Sequence, residues 1–564
     1  MGSSAGSRII GSVAFLLAIT GGFGFSPASI AAGDDQQQAE RDIQDWIDGL
    51  QDETDRKAPI DYGYGPGVPA PRLATSLAAL FSTLATAQVP SGGSNANVAG
   101  VFGAVITWPI IPIHVVLLPD GRVMSYGTNE KGQQGAQLIY DVWNPELGTD
   151  STAHSVLANS TSSDIFCSSQ SVMLSGQVLI TGGDLTVSGV RNFARNNTNI
   201  FSPSSNSLTA NTPMNFARWY GSLVALSNGQ LAVFGGYQNQ LTKAPIEPAT
   251  TPELYFPGTN AWTELSGATS LPAFGSSGNW YYPRAYEGPG GKIFVVSNNG
   301  PLFSVSTTGS GSISQYSVSV PVGTSDLPTV PFAPGKLLSI RSNQVVVVID
   351  YTKATPVVTQ TGNIDAVRYW ANGTVMADGR VLISGGSAVK NQLTGVDYQA
   401  EIWNPATGQW TAGASAAKPR LYHSNSLLLP DATVLTGGGG APGPVINLNA
   451  EVYYPPYLYD SSGNPAVRPT ISAVSPQSLN PGGTLSITVG PTDRISRLTF
   501  IRTGSSTHSN NSDQRFITLS FTQNGQTVVA TLPTGAPTLV PGYYMVFAFN
   551  TAGVPSVAPI VEVL

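Results

Sequence analysis

One unit recurs along this chain and limits what it can become. It is an apolar run, a polar turn with glycine, a second apolar run and often a Gly-Gly pair. The copies are VVLLPDGRVMSYG at 115–127, SVMLSGQVLITGG at 171–183, LVALSNGQLAVFGG at 223–236, YEGPGGKIFVVSNNG at 286–300, TVMADGRVLISGG at 374–386 and LLLPDATVLTGGGG at 427–440. A weaker copy, LLSIRSNQVVVVID, falls at 337–350. Apolar runs this short, bounded by turn residues, read as strands. Several copies lead into a further strand with an aromatic and a tight turn: DVWNPELG, NIFSPSSN, ELYFPGTNAW, EIWNPATGQW and EVYYPPYL. A unit of about four strands cannot bury both its faces alone, and a closed ring of such units can. The fold expected is therefore all-β, a seven-bladed, kelch-type β-propeller over about residues 99–460.

After Tyr459 the rhythm stops. Residues 467–564 open with PTISAVSPQSLNPGGTLSITV and continue as alternating strands. Their size and turn spacing fit a C-terminal immunoglobulin-like β-sandwich, without the Cys…Trp…Cys core of antibody domains. At the other end, residues 1–32 read as a secretory signal. Arg8 precedes an apolar Ile9–Phe25 run, and small residues follow near Ala31. A secreted protein is expected, with an uncleaved membrane anchor as the alternative. Residues 33–98 read as a pro-segment or tether with helical spacing at Ile43, Trp46, Ile47 and Leu50. Asn159, Asn196, Asn372 and Asn510 open glycosylation sequons.

Composition agrees with many short strands: 62 glycines, 42 prolines and 10% charged residues. A net charge of -7 disfavours nucleic acid as a partner. The single cysteine, Cys167, rules out an internal disulfide and a CxxC zinc site.

Aligned on the turn residue, the units reveal a ring. Nine residues before Gly121, Gly176, Gly229, Gly291, Gly379 and Ala432 stand Pro112, Cys167, Tyr220, Tyr282, Trp370 and His423. Equivalent positions of successive blades circle the propeller axis. A thiol, two phenols, an indole and an imidazole in one ring are unusual for a narrow funnel. Cys167 and Tyr220 come from consecutive blades, and Tyr422 stands beside His423. Phenol and imidazole donors suit Cu(II). Tyrosine, with an ordinary pKa of about 10, becomes a good ligand only when a cation favours its phenolate. Two further readings compete: a half-buried Tyr-His pair with no metal, and an aromatic platform for a sugar. Of the 4 histidines, His114 and His154 read as structural or surface residues, and His508 lies in a polar stretch of the terminal domain.

DIFC at 164–167, ARWYGSLVALSNG at 217–229, RLYHSNSLLLPD at 420–431 and THSNNSDQR at 507–515 resemble the galactose oxidase/glyoxal oxidase family of copper radical oxidases, nearest its glyoxal oxidase branch. The resemblance spans about residues 99–564. It implies one copper ion and a thioether joining Cys167 to the ring of Tyr220 as a one-electron cofactor. It also implies equatorial ligands Tyr220, His423 and His508, with Tyr422 axial and acting as general base. Departures concern substrate. Gln238 stands where galactose oxidase has its stacking tryptophan, and Trp219, Trp280 or Trp370 is expected to substitute. SAVKNQLTG after Gly385-Gly386 lacks that enzyme's sugar-binding Tyr-Gln pair, and its N-terminal carbohydrate-binding module is absent. Tyr282-Pro283-Arg284 is expected to place an arginine at the mouth, able to hold a carbonyl, hydrate or carboxylate.

The leading expectation is a secreted, monomeric oxidase of small aldehydes of the glyoxal or methylglyoxal type. It would reduce O2 to H2O2, for use by peroxidases or at the cell wall. The alternatives are an alcohol or glycan oxidase with the same cofactor, and a non-catalytic glycan-binding propeller.

Overall fold

The computed structural model describes residues 89–240, 245–534 and 538–564. The signal expected at 1–32 and most of the segment 33–98 lie outside these residues. Within the described part of that segment there is one helical turn, Ala96–Ala99.

Among the described residues, seven antiparallel sheets follow one four-stranded plan in chain order. Their innermost strands are Pro112–Leu117, Ser169–Val172, Trp219–Ala225, Arg284–Glu287, Thr329–Ala333, Asn372–Val375 and Ser424–Leu428. We number the blades one to seven in that order. Side chains on both faces of the inner strands are buried, because each sheet packs between two others. This is why the strands read as continuous apolar runs rather than as alternation. The ring is closed by the chain's early strands: Val101–Phe102 and Ile106–Thr107 both pair with Asn449–Tyr454 of blade seven. Closure completes blade seven and leaves only the short outer strands of the blades as sheet edges.

Blade five corrects the sequence reading. The copy placed at 337–350 is one strand late. Lys336–Ile340 pairs with Val346–Asp350 as second and third strands, and the leading hairpin is Thr329–Ala333 with Lys336–Ile340. Prolines at 331 and 334 disguise the first strand and its turn.

The Gly-Gly pairs have a specific task. A Cβ on Gly182 would lie 2.0 Å from the Arg218 carbonyl oxygen, and one on Gly385 2.7 Å from that of Arg420. The glycines let the lead-in of the next blade cross close by. The amides of Gly183, Gly236 and Gly386 donate to the carbonyls of Arg218, Trp280 and Arg420.

The C-terminal domain is two sheets, of four and five strands, around its own apolar core. One hairpin leaves it. Ser505–Thr507 and Asn510–Asn511 pair with each other, and Ser505 and Ser506 pair with Val116 and Val115 of blade one. Every residue from 498 to 517 is buried, so the hairpin is a plug in the propeller axis. Three sequons, Asn159, Asn372 and Asn510, are buried as well, so they offer no glycosylation surface in the folded chain.

Candidate metal centre

The residues of the ring share a backbone conformation that L-residues avoid. Cys167, Tyr220, Tyr282, Trp370 and His423 have φ of 54°, 65°, 39°, 65° and 66°. Such strain costs about 1–3 kcal/mol per residue and persists only where the surroundings enforce it. Pro112 occupies the same register in blade one, where its ring forbids a positive φ. Counting from the corrected turn glycine, Gly335, the seventh member is Asp326, which the sequence reading missed. Its backbone carbonyl accepts from the Trp370 amide, and its carboxylate pairs with Lys390 at 3.4 Å.

His508 arrives by a different route. Thr507 pairs with Asn510, leaving His508 and Ser509 as a two-residue hairpin turn with φ of 48° and 58°. Two positive φ values define the mirror-image turn that usually takes Asn-Gly. Here a histidine holds the position at the tip of the plug.

These elements converge. Cys167 Sγ lies 3.5 Å from His423 Nε2 and 3.6 Å from His508 Nε2. The Tyr220 and Tyr422 hydroxyls are 2.7 Å apart. His423 Nδ1–H donates to the Gly440 carbonyl at 2.7 Å, which leaves its Nε2 as the lone-pair atom facing the centre. The Nδ1 of His508 hydrogen-bonds the Thr507 hydroxyl, and its ring stacks on Tyr282 at 4.5 Å. All five groups are buried.

Burial dominates their protonation. It drives the His423 imidazole down to about 3. It also holds His508 well below its usual range, helped by His423, His114 and Arg284. Burial first, then neighbouring ionisable groups, pushes the Tyr220 and Tyr422 phenols well up, and the Cys167 thiol rises with burial. Without a cation the cluster is therefore neutral throughout, with two imidazole lone pairs and two phenol oxygens turned inward. A divalent ion would reverse the cost of ionising the phenols. Two nitrogens and two oxygens form the donor set that tetragonal Cu(II) prefers, so the residues fit copper.

The substrate candidates divide. Trp370 lies 4.6 Å from the Tyr422 ring, and Trp280 and Trp219 lie 6.2 and 5.6 Å from the Tyr220 ring. Tyr282 spends its hydroxyl on the Ser168 carbonyl at 2.9 Å, and Gln238 donates to the Pro248 carbonyl at 3.3 Å. Arg284 departs from expectation. It is buried, and its two terminal nitrogens bond the carbonyls of Tyr282, Ser325 and Leu327. It ties blade four to blade five instead of presenting a guanidinium at the mouth. His114, expected to be structural or on the surface, is buried. It stacks on Tyr126 at 4.4 Å, 5.6 Å from the His508 ring. His154 pairs with Asp141 at 2.8 Å, away from the centre.

Tyr281 was missed. Its ring is 4.4 Å from that of Tyr220, nearer than any of the three tryptophans, and its phenol interacts electrostatically with that of Tyr422. The signal for it was present. In five blades the residue before the ring position is aromatic: Phe166, Trp219, Tyr281, Tyr369 and Tyr422. The supporting ion pairs were missed as well. Arg218, Arg368 and Arg420 stand two or three residues before Tyr220, Trp370 and His423. They pair with Glu253, Glu401 and Glu451 at 3.0, 2.9 and 3.0 Å.

Residues 468–563 match the family model described as galactose oxidase-like, Early set domain. Galactose oxidase of Gibberella zeae is 29% identical over 503 residues, covering 82% of this chain and 70% of that protein. Aldehyde oxidase GLOX of Vitis pseudoreticulata is 25% identical over 532 residues, covering 83% and 96%. Among solved structures, a fungal alcohol oxidase of the AA5 family in complex with copper superposes with a TM-score of 0.74 at 25% identity. The match covers 82% of this chain and 99% of that one. With a buried centre of two imidazoles, two phenols and one thiol drawn from two domains, the chain is similar in sequence, fold and donor set to the galactose oxidase/glyoxal oxidase family of copper radical oxidases.

Proposed function

We propose that this protein is a secreted oxidase that converts small aldehydes, as their hydrates, to carboxylic acids while reducing O2 to H2O2. One observation carries the redox part. His423 Nε2, His508 Nε2 and Cys167 Sγ lie within 4.8 Å of one another, beside the hydrogen-bonded Tyr220–Tyr422 pair. Tyr220, Tyr422, His423 and His508 would hold the copper. When bound, copper supplies a one-electron couple and a place for the substrate oxygen.

The chain's own residues supply the rest. Tyr220, joined through its ring to Cys167, provides the second redox equivalent and takes a hydrogen atom from the substrate carbon. Tyr422 takes the substrate hydroxyl proton as general base. Its oxygen is placed for this by the hydrogen bond to Tyr220. Trp370, Trp280 and Tyr281 exclude water around the pair. The totals balance: a hydrate plus O2 gives an acid plus H2O2, with two electrons and two protons moved.

A primary alcohol going to an aldehyde needs the same groups, and the likeness to a fungal alcohol oxidase favours it as the second reading. A peroxide assay over glyoxal, methylglyoxal, glycolaldehyde, glycerol and galactose ranks the two. Highest turnover on glycerol or galactose would overturn the aldehyde reading. A Cys167→Ala variant giving undiminished peroxide would overturn the cofactor.

A further inference from the structure

The plug that delivers His508 is fastened to several blades, and its fastenings differ in kind. Ser512 Oγ donates to the Leu223 carbonyl of blade three at 2.9 Å. The Gln514 side chain bonds the amide and carbonyl of Val375 in blade six at 3.1 and 3.0 Å. These contacts are neutral. Asp513 is the one carboxylate of the segment TGSSTHSNNSDQ, and both of its oxygens are used. One accepts from Ser171 Oγ at 2.7 Å and pairs with Arg502 at 2.7 Å. The other accepts from the Val172 amide at 3.2 Å and from Ser505 Oγ at 2.6 Å. Arg502 in turn donates to the Val172 carbonyl at 3.0 Å.

The Asp513–Arg502 pair thus occupies both backbone groups of Val172, as a paired strand would. Val172 ends the inner strand Ser169–Val172, which begins two residues after Cys167. Ser505 begins the strand that ends at Thr507, next to His508. Charge-assisted hydrogen bonds are roughly twice as strong as neutral ones.

We propose that Asp513 is a positioning residue: its buried carboxylate brackets the His508 hairpin to the strand carrying Cys167, and so sets the imidazole over the sulfur. It does not reach the reacting atoms, and its influence is geometric. The proposal rests on the copper reading for its consequence, but the bracket itself can be tested without metal.

Protein grown without copper keeps Cys167 as its one thiol, which allows an unambiguous alkylation rate. Thr499→Val serves as the control. It removes another contact between the domains, Thr499 Oγ1 to the Ala377 carbonyl at 2.9 Å, which involves no residue of the hairpin and neither Asp513 nor Val172. Asp513→Asn and the milder Ser171→Ala are expected to raise iodoacetamide labelling of Cys167 by about tenfold or more, and T499V to leave it unchanged. After copper loading, the cupric EPR signal of D513N should lose nitrogen hyperfine structure toward that of His508→Ala. Equal labelling in D513N, S171A and wild type overturns the bracket. So does T499V matching them, because the effect would then be general loosening. If wild-type protein itself lacks a two-imidazole signal, the copper reading fails while the labelling arm still decides the bracket. Should D513N fail to fold, S171A against T499V carries the test.

Discussion

Glu253→Gln is the most informative single change outside the centre. The Glu253 carboxylate accepts from the amides of Asn215 and Phe216 at 2.6 and 3.1 Å, and from Arg218 Nη2 and Nε at 3.0 and 3.3 Å. Both partners of the ion pair are buried. Glutamine keeps the volume and one acceptor. Its amide nitrogen must then face donors, and Arg218 loses its counter-charge. Removing one partner of a buried pair costs about 3–5 kcal/mol. With one acceptor retained we expect the lower end, about 3 kcal/mol. At a urea slope of about 3 kcal/mol per molar, the midpoint falls by about 1 M. Arg218 precedes Tyr220 by two residues, so the lead-in loosens and the Cys167–Tyr220 cross-link should form more slowly on copper addition. Urea unfolding followed by tryptophan fluorescence, with intact mass for the loss of two hydrogens, reads both effects. A midpoint shift under about 0.3 M would mean that the pair is not the anchor of this segment.

Three further outcomes are expected. In metal-free protein, burial drives His114 and His423 to about 3, below the ordinary 6.5, so the unfolded chain binds more protons. The histidine contribution to stability should be fully present above about pH 6.5 and fall as pH drops from there toward 3; His114→Asn should flatten part of the fall in thermal midpoint. Tyr422→Phe should lower peroxide production by about 10²–10⁴-fold while two imidazole nitrogens remain visible in the EPR signal. Ser509→Gly relieves the positive φ at the hairpin turn. It should raise stability by about 1 kcal/mol in urea unfolding with peroxide output unchanged.

How far the sequence carries depends on whether a feature is local. Blades are local: each is a run of short apolar strands joined by tight turns, so its period is visible from turn to turn. Blade five shows the limit, because prolines at 331 and 334 broke the pattern and moved the reading by one strand. Cys167, Tyr220 and His423 were found because one register position recurs in every blade. Tyr281 was passed over, although the aromatic before the ring residue in five blades was there to be read.

Arg284 was misjudged for a different reason. An arginine beside a ring position looks like a ligand for a substrate until the carbonyls of Ser325 and Leu327, from the next blade, are seen to claim it. Composition, turn spacing and register determined a closed β ring, a separate sandwich and a shared ring position for Cys167, Tyr220 and His423, since each follows from a pattern local to one blade; the redox role of those side chains came from the family resemblance. The tertiary structure decided that the segment carrying His508 is a hairpin, 505–511, paired with blade one, that Asp513 fastens it beside Cys167, and that five ring residues accept positive φ. Those outcomes depend on contacts between segments hundreds of residues apart, where periodicity carries no information and only packing can choose the partner.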